Sequence, residues 1–386
     1  MDLDIDALPE GTVVFPYEPL LRVRGPIWQA QLLESALLNM INFQTLIATK
    51  AARVFLAAAP DPVVEFGMRR AQGFDGAISA SRAAFIGGCE STSDVMAGKL
   101  FGIPVRGTHA HSWIMAFDEE KSAFRTYAEM RPKNCVMLID TYNSVEGVKR
   151  AIEVAKSIKN FDLAGVRLDS GDLTKLSIEI RKLLDEAGFQ KTKIMASNEL
   201  DEYLIQDLKA QGAKINVWGV GTNLVTAKGQ PALDGVYKLS AIQDEKGEWV
   251  HKLKLSEQIA KVTNPGILQV RRFFDGTFYI GDAIYDELLK IKQPCSIVNQ
   301  HDPNDQMDAD AHFEDLLVPI FRKGKLVYQS PSIQEMQAHA KKELSRLPSA
   351  MLRFTNPQPY FAGLEKSLYQ KKLELIRFHR ENSHPH

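Results

Sequence analysis

The chain has 386 residues, 45% of them apolar and 25% charged, with a formal net charge of −1. These values fit one large α/β domain with an appendage, or two ordinary domains. They exclude a generally polyanion-binding surface, so no nucleic-acid partner is expected and any phosphate must be met locally. The three cysteines, Cys89, Cys135 and Cys295, are widely spaced with no CxxC, which argues against a disulfide framework or a zinc–cysteine site. No apolar run reaches the ~20 residues of a membrane span. The acidic start MDLDIDALPEG lacks the features of a secretory signal, so a cytoplasmic setting is expected.

From the N-terminus, GTVVF (11–15) and LLRVRG (20–25) are predicted as short strands separated by Pro16 and Pro19. Trp28 to about Leu56 carries apolar residues at three- and four-residue spacing and is predicted as one long, largely buried helix. From residue 63 to 240, apolar runs alternate with helical stretches: VVEFG (63–67), AFIGG (84–88), IPVRG (103–107), CVMLID (135–140), GVRLD (165–169), KIMAS (193–197), INVWGVG (215–221) and GVYKL (235–239). Such runs suit strands covered on both faces, as in a parallel sheet. Their number favours a compact α/β barrel over an open sheet. Ser144, Thr174 and Asn198 with Asp201 are the expected caps of the helices between them.

Beyond Leu239 the pattern becomes antiparallel. QVRRFFDGTFYIG (269–281) is predicted as a hairpin turning on Asp-Gly, and FRKGKLVYQ (321–329) as a second. The polar segment 299–315 reads as a mobile surface loop. Amphipathic helices are predicted near 333–347 and 364–381, followed by a frayed ENSHPH. The expected division is 1–60, 61–242 and 243–386, with the first and last parts forming a satellite domain around a catalytic barrel.

In a parallel α/β barrel, functional residues sit at the carboxyl ends of strands. That rule selects Phe66 and Arg69, Thr92 to Asp94, Thr108 to His111, Asp140 with Thr141, Arg167 with Asp169 and Asp172, Ser197 with Asn198, and Gly219 to Asn223. VRLDSGD (166–172) would aim an arginine and two carboxylates at one mouth, turning at Ser170 and Gly171. With Asp140, these could hold Mg²⁺ or steady a developing positive charge, or simply form an ion pair capping a strand and a helix. Gly219 and Gly221 in WGVGTN let backbone N–H groups approach a phosphate. Arg69 and Arg70, in the first turn after a strand, call for an anionic partner.

His109 and His111 lie two residues apart in RGTHAHSW and would share one face of a strand, as two metal ligands must. The strand ends after residue 111 supply no further histidine, since the next is His251, outside the barrel. No metal-ligand residues are therefore assigned, and a packed histidine remains open beside a chemical one.

Taken together in order, FGMRRAQG, GGCESTSDVMAGKLFGIPVRGTHAHSW, LIDTYNSVEGV, GVRLDSGDL, MASNELDE, GVGTNLVTAKGQPALDGVYKL and KLSEQIAKVTNPGILQVRR resemble the signatures of the nicotinate phosphoribosyltransferases. The resemblance covers residues 1 to 290 closely and the tail loosely. It implies a type II phosphoribosyltransferase fold, an irregular α/β barrel beside an α/β satellite domain, in a homodimer whose active sites lie at the subunit boundary. The implied reaction joins nicotinate to phosphoribosyl pyrophosphate, giving nicotinate mononucleotide and pyrophosphate with coupled ATP hydrolysis and Mg²⁺, in NAD salvage.

Position by position, the resemblance implies that Phe66 stacks on the pyridine ring and Arg69 meets the pyrophosphate. Arg167 and Asp169 contact the ring substituent and ribose, and Asp140 the ribose or a magnesium water. Thr108 and Ser197 join the substrate contacts, and Gly219, Gly221 and Thr222 cradle the 5′-phosphate. His111 is the histidine phosphorylated from ATP, and His109 occupies a variable position. Relatives usually carry a further N-terminal segment whose tyrosine reaches the neighbouring pyridine site, so a catalytically impaired barrel is one alternative. Asp94 stands where nicotinate enzymes commonly carry Asn and nicotinamide enzymes Asp, so a nicotinamide-preferring or quinolinate-type relative is the other.

Overall fold

The computed structural model describes residues 1–256 and 262–382. The KLSEQIAKVTNPGILQVRR motif falls partly on 257–261, and the expected frayed end partly on 383–386, both outside the described residues. The chain forms two compact units, Ile41–Leu233 and Met1–Met40 with Asp234–His386. The divisions at 40/41 and 233/234 differ from those expected at 60/61 and 242/243. The physical reason lies in the helix Glu34–Ala58, whose Leu46, Ile47, Ala51, Val54 and Ala58 join the core under the parallel sheet.

In Ile41–Leu233, six parallel strands run in the order Ser91–Thr92, Val63–Glu65, Val217–Val220, Lys193–Ala196, Leu163–Leu168 and Cys135–Leu138. VVEFG, CVMLID, GVRLD, KIMAS and INVWGVG are strands as expected. AFIGG instead ends the helix Gly73–Ile86, because Ala77, Ala80 and Ala84 form a small, buried helical face. IPVRG supplies only an isolated bridge from Val105 to Thr92, and GVYKL forms no strand. The result is an irregular, incomplete barrel. Helices cover it through an apolar core that includes Phe124, Val148, Ile180, Ile205 and Trp218.

Two of the expected caps fall to an earlier neighbour, while Asp201 of the expected Asn198–Asp201 pair caps its helix as expected. Asn143 caps Ser144–Ser157 in place of Ser144, Asp172 caps Leu173–Glu186 in place of Thr174, and Asp201 caps Glu202–Ala210. Each accepts main-chain N–H groups of the first turn, which have no intrahelical partner.

In the other unit, Asp4–Ala7 pairs with both Leu21–Arg24 and Val318–Arg322, tying the two ends of the chain together as expected for the satellite. GTVVF forms no strand, because its backbone is spent on side chains: Val13 N donates to Glu343 (3.3 Å) and Val13 O accepts from Arg272 (2.9 Å). The helix expected from Trp28 breaks at Leu33, and its first part leaves Trp28 and Leu32 exposed rather than buried. The hairpin Leu268–Asp275 with Phe278–Asp286 turns at Asp275-Gly276 as expected. Segment 299–315 is not a loop throughout. It contains Gln306–Ala309 and His312–Asp315, the two edge strands of a six-stranded sheet, and edge position explains their polarity.

A buried polar cluster fixes this unit. Arg272, fully buried, donates to both oxygens of Asp282 and to Glu343, while Tyr360 donates its hydroxyl proton to Asp282 (2.7 Å). Glu18 is buried beside Asp282. Burial and then the Asp282 carboxylate push the Glu18 carboxyl well above the usual range, against the opposing pull of Phe15 N–H and Arg272. Its Oε1 has no hydrogen-bond partner, which also disfavours the ionised form. A carboxyl raised on folding stabilises the fold fully below its unfolded value, and that contribution fades as pH rises through the folded value. Glu18→Gln should therefore raise stability on the alkaline side by about 1–2 kcal/mol and flatten the pH dependence, in thermal melts between about pH 5 and about pH 8.

Candidate active site

Arg167, near the carboxyl end of Leu163–Leu168, organises the mouth of the barrel. Its Nε donates to Ser197 Oγ (2.8 Å), its Nη1 to Thr108 Oγ1 (2.8 Å) and its Nη2 to Asp169 Oδ1 (2.9 Å). The guanidinium carbon lies 5.3 Å from the centre of the Phe66 ring, within cation–π reach. Ser197 also donates to Asp169 through a short contact. Burial works to raise the Asp169 carboxyl. The Ser197 hydroxyl and the charge of Arg167 outweigh it, with help from His111, and hold the group below its usual value. Asp169 is thus an anionic group at physiological pH.

Asp140 follows Cys135–Leu138 and turns its carboxylate towards the same mouth. Its Oδ2 accepts from Asp169 N (2.8 Å) and Ser170 Oγ (2.6 Å), while its buried Oδ1 has no hydrogen-bond partner. His111 Nε2 lies 3.9 Å from that Oδ1 and 3.7 Å from Asp169 Oδ2. The other ring nitrogen, Nδ1, meets Thr141 Oγ1 at 3.1 Å.

The floor of the site is apolar and depends on glycine. Phe66 packs with Val64, Met195 and Val217 inside the curled sheet. A Cβ on Gly219 would stand 3.0 Å from the Phe66 ring and 2.9 Å from Met195 Cε, and one on Gly221 2.9 Å from the Phe66 carbonyl. Gly219 and Gly221 therefore make room for Phe66, and Thr222 begins the single turn Thr222–Val225 beside it. Beneath them Glu65, fully buried, accepts from Gly67 N, Ser81 Oγ (2.9 Å) and Thr92 Oγ1 (2.6 Å) and so shapes the turn that carries Arg69. Burial raises its carboxyl despite those donors. The strand-end rule passed over Glu65, although a lone acid in the apolar run VVEFG marks it.

The structure thus brings Phe66, Thr108, His111, Asp140, Arg167, Asp169, Ser197, Gly219 and Gly221 together. Arg69 lies exposed on the turn Met68–Arg70, ahead of the helix Gly73–Ile86 rather than at its N-terminus. Asp172, expected in the mouth, is spent as a helix cap. Asp94 is another cap, accepting from Met96 N and Ala97 N while completely buried. The two histidines do not share a strand face: His111 opens the helix His111–Met115, whereas His109 is buried against Tyr127 and Phe124. Among the described residues, no group of three or more His, Cys, Asp or Glu is placed to hold a metal ion.

An incomplete parallel α/β barrel with an arginine and carboxylates at its strand ends, in a chain that also carries a second α/β unit, defines a type II phosphoribosyltransferase-like protein. Residues 62–262 match the nicotinate phosphoribosyltransferase (NAPRTase) family, and residues 267–372 its C-terminal domain. The chain belongs to the nicotinate phosphoribosyltransferase family. It is 44% identical over 377 residues to the nicotinate phosphoribosyltransferase of Bacillus subtilis, covering 96% of this chain and 76% of that one. The crystal structure of human nicotinic acid phosphoribosyltransferase superposes with a TM-score of 0.82 at 29% identity, covering 97% of this chain and 82% of the human one. The nicotinate-nucleotide pyrophosphorylase of Pyrococcus furiosus matches at 0.69 and 26% identity, over 89% of this chain and 82% of that one. No helix among the described residues is long and apolar enough to cross a membrane.

Proposed function

We propose that this chain transfers the phosphoribosyl group of phosphoribosyl pyrophosphate to the ring nitrogen of nicotinate, in NAD salvage. The observation that carries the reading is the convergence of Arg167, Asp169, Asp140 and His111 at one mouth above Phe66. A bond forms between the pyridine nitrogen and ribose C1 as the bond from C1 to pyrophosphate oxygen breaks, the electron pair leaving with pyrophosphate. Positive charge develops on the ribose, and the Asp169 carboxylate, kept ionised by its partners, stabilises it. Phe66 offers a face for the pyridine ring, and Arg167 beside it offers a cation to the ring carboxylate. The family resemblance assigns Arg69 to the leaving pyrophosphate, and Gly219, Gly221 and Thr222 to the 5′-phosphate.

The donor set fits Mg²⁺ held mainly by substrate phosphates and water: Asp140 Oδ1 is buried without a hydrogen-bond partner, next to the Asp169 carboxylate. When bound, the ion supplies charge neutralisation for pyrophosphate. The arrangement also favours the acid over the amide, because Arg167 stands beside Phe66 as a cation for the ring carboxylate.

His111 is the proposed acceptor of the ATP γ-phosphoryl group. Of the two neutral tautomers, the facing carboxylates favour the one protonated at Nε2, which leaves a lone pair on Nδ1 beside the Thr141 hydroxyl. We also take the chain to act in the cytoplasm as a homodimer, for which the exposed apolar residues Val95, Met96 and Leu100 offer a surface. Incubation with phosphoribosyl pyrophosphate, Mg²⁺ and nicotinate, nicotinamide or quinolinate, with and without ATP, tests the reading. Product from nicotinate with ATP stimulation is expected, and selective use of nicotinamide or quinolinate would refute the substrate assignment. His111→Ala should abolish the stimulation by ATP; a variant that kept it would remove His111 from the coupling.

A further inference from the structure

The parallel sheet is open between Ser91–Thr92 and Cys135–Leu138, and the segment 104–111 spans the opening. On one side its backbone pairs like a strand: Thr92 N donates to Pro104 O (3.0 Å) and Arg106 N to Thr92 O (3.0 Å). On the other side it does not pair through its backbone. In Cys135–Leu138 and just beyond, Ile139 N donates to Arg167 O, so the alternation of a β-strand turns Leu138 N away from that neighbour and into the opening. Leu138 N donates there to His109 Nε2 (3.2 Å).

We propose that His109 is a positioning residue whose imidazole replaces the main-chain carbonyl of a missing strand, docking Thr108 and His111 into the site. The inference rests on the phosphoribosyl-transfer reading of that site. His109 is buried, its ring edge to face with Tyr127 at 4.7 Å, and its Nδ1 meets Ala110 O at 3.3 Å. A proton on Nδ1 and a lone pair on Nε2 satisfy both contacts, so the geometry fixes one neutral tautomer. Burial, the nearby Arg167 and His111 lower the ring to about 4, against the opposing Ala110 carbonyl, so the acceptor persists across the physiological range.

Docking at His109 sets both neighbours. Thr108 donates its hydroxyl proton to the His109 carbonyl (2.9 Å), which leaves its oxygen to receive Arg167. Two residues on, His111 reaches Thr141 and the two carboxylates. A loose 104–111 segment would release a contact of Arg167 and misplace His111 at once.

His109→Gln and His109→Asn separate positioning from simple packing, because Gln carries an amide oxygen at about the reach of Nε2 and Asn carries the same group one methylene shorter. Amide hydrogen exchange at Leu138 reads the contact directly. Exchange should quicken at least about tenfold in His109→Asn and stay near wild type in His109→Gln. The turnover number per folded molecule should fall at least about tenfold in His109→Asn and recover within about threefold in His109→Gln, with the ATP stimulation following the same order. Equal Leu138 protection, or equal turnover per folded molecule, in the two variants would overturn the proposal. If wild-type protein made no nucleotide, the phosphoribosyl-transfer reading would fail on its own, and the exchange difference would still decide whether His109 docks the segment.

Discussion

Asp169→Asn is expected to lower the turnover number about 100- to 1,000-fold, with little change in the KM for nicotinate or phosphoribosyl pyrophosphate. Asn keeps the shape of the side chain and an oxygen for Ser197 and Arg167, but it removes the negative charge. In the wild type that charge is secured by Ser197 and Arg167 against the cost of burial. Its benefit rises as the ribose becomes cationic, so the loss belongs to the transition state rather than to binding. Arg167 would lose an ion pair but keep Ser197 and Thr108, so the fold should lose no more than about 1–2 kcal/mol. Steady-state kinetics beside a thermal melt check both. A raised KM with unchanged turnover would make Asp169 a binding group only.

The largest stability loss should come from Arg272→Met, about 3–5 kcal/mol. Arg272 is the cation that Asp282 and Glu343 share in the satellite unit, and none of the three side chains is more than 4% exposed. It also holds Val13 O and lies over the Tyr279 ring at 4.8 Å. Methionine fills much of the volume, so the loss reflects buried carboxylates left without a counter-charge rather than a cavity. Denaturant titration of both proteins measures the deficit. A loss below about 1 kcal/mol would show that the two carboxylates do not depend on Arg272 for their counter-charge.

The barrel strands were legible where an apolar run was short, β-branched and flanked by polar turns, as in CVMLID and INVWGVG. AFIGG has the same composition and is helical, because the alanines before it build a buried helical face that a five-residue window cannot reveal. In GTVVF the residues suit a strand, but Arg272 and Glu343, far along the chain, take up the backbone groups of Val13. The polar segment 299–315 hides its strands because edge strands need no apolar pattern.

Site residues followed the strand-end rule well, since position along a parallel strand alone places Asp140, Arg167 and Ser197 on one mouth. The rule could not separate Asp169 from Asp172, three residues apart, because only the helix start at Leu173 decides which acid is consumed as a cap. Nor could spacing distinguish the two histidines. His-x-His implies a common face only in a strand, and here the second histidine begins a helix.

The central claim, phosphoribosyl transfer to nicotinate at the Arg167–Asp169 mouth, is tested most directly by following nicotinate mononucleotide and pyrophosphate together in wild type and Asp169→Asn. The account predicts equal amounts of the two products from wild-type protein and a deep loss of both in the variant. Pyrophosphate release without nicotinate mononucleotide, or undiminished product from Asp169→Asn, would contradict it.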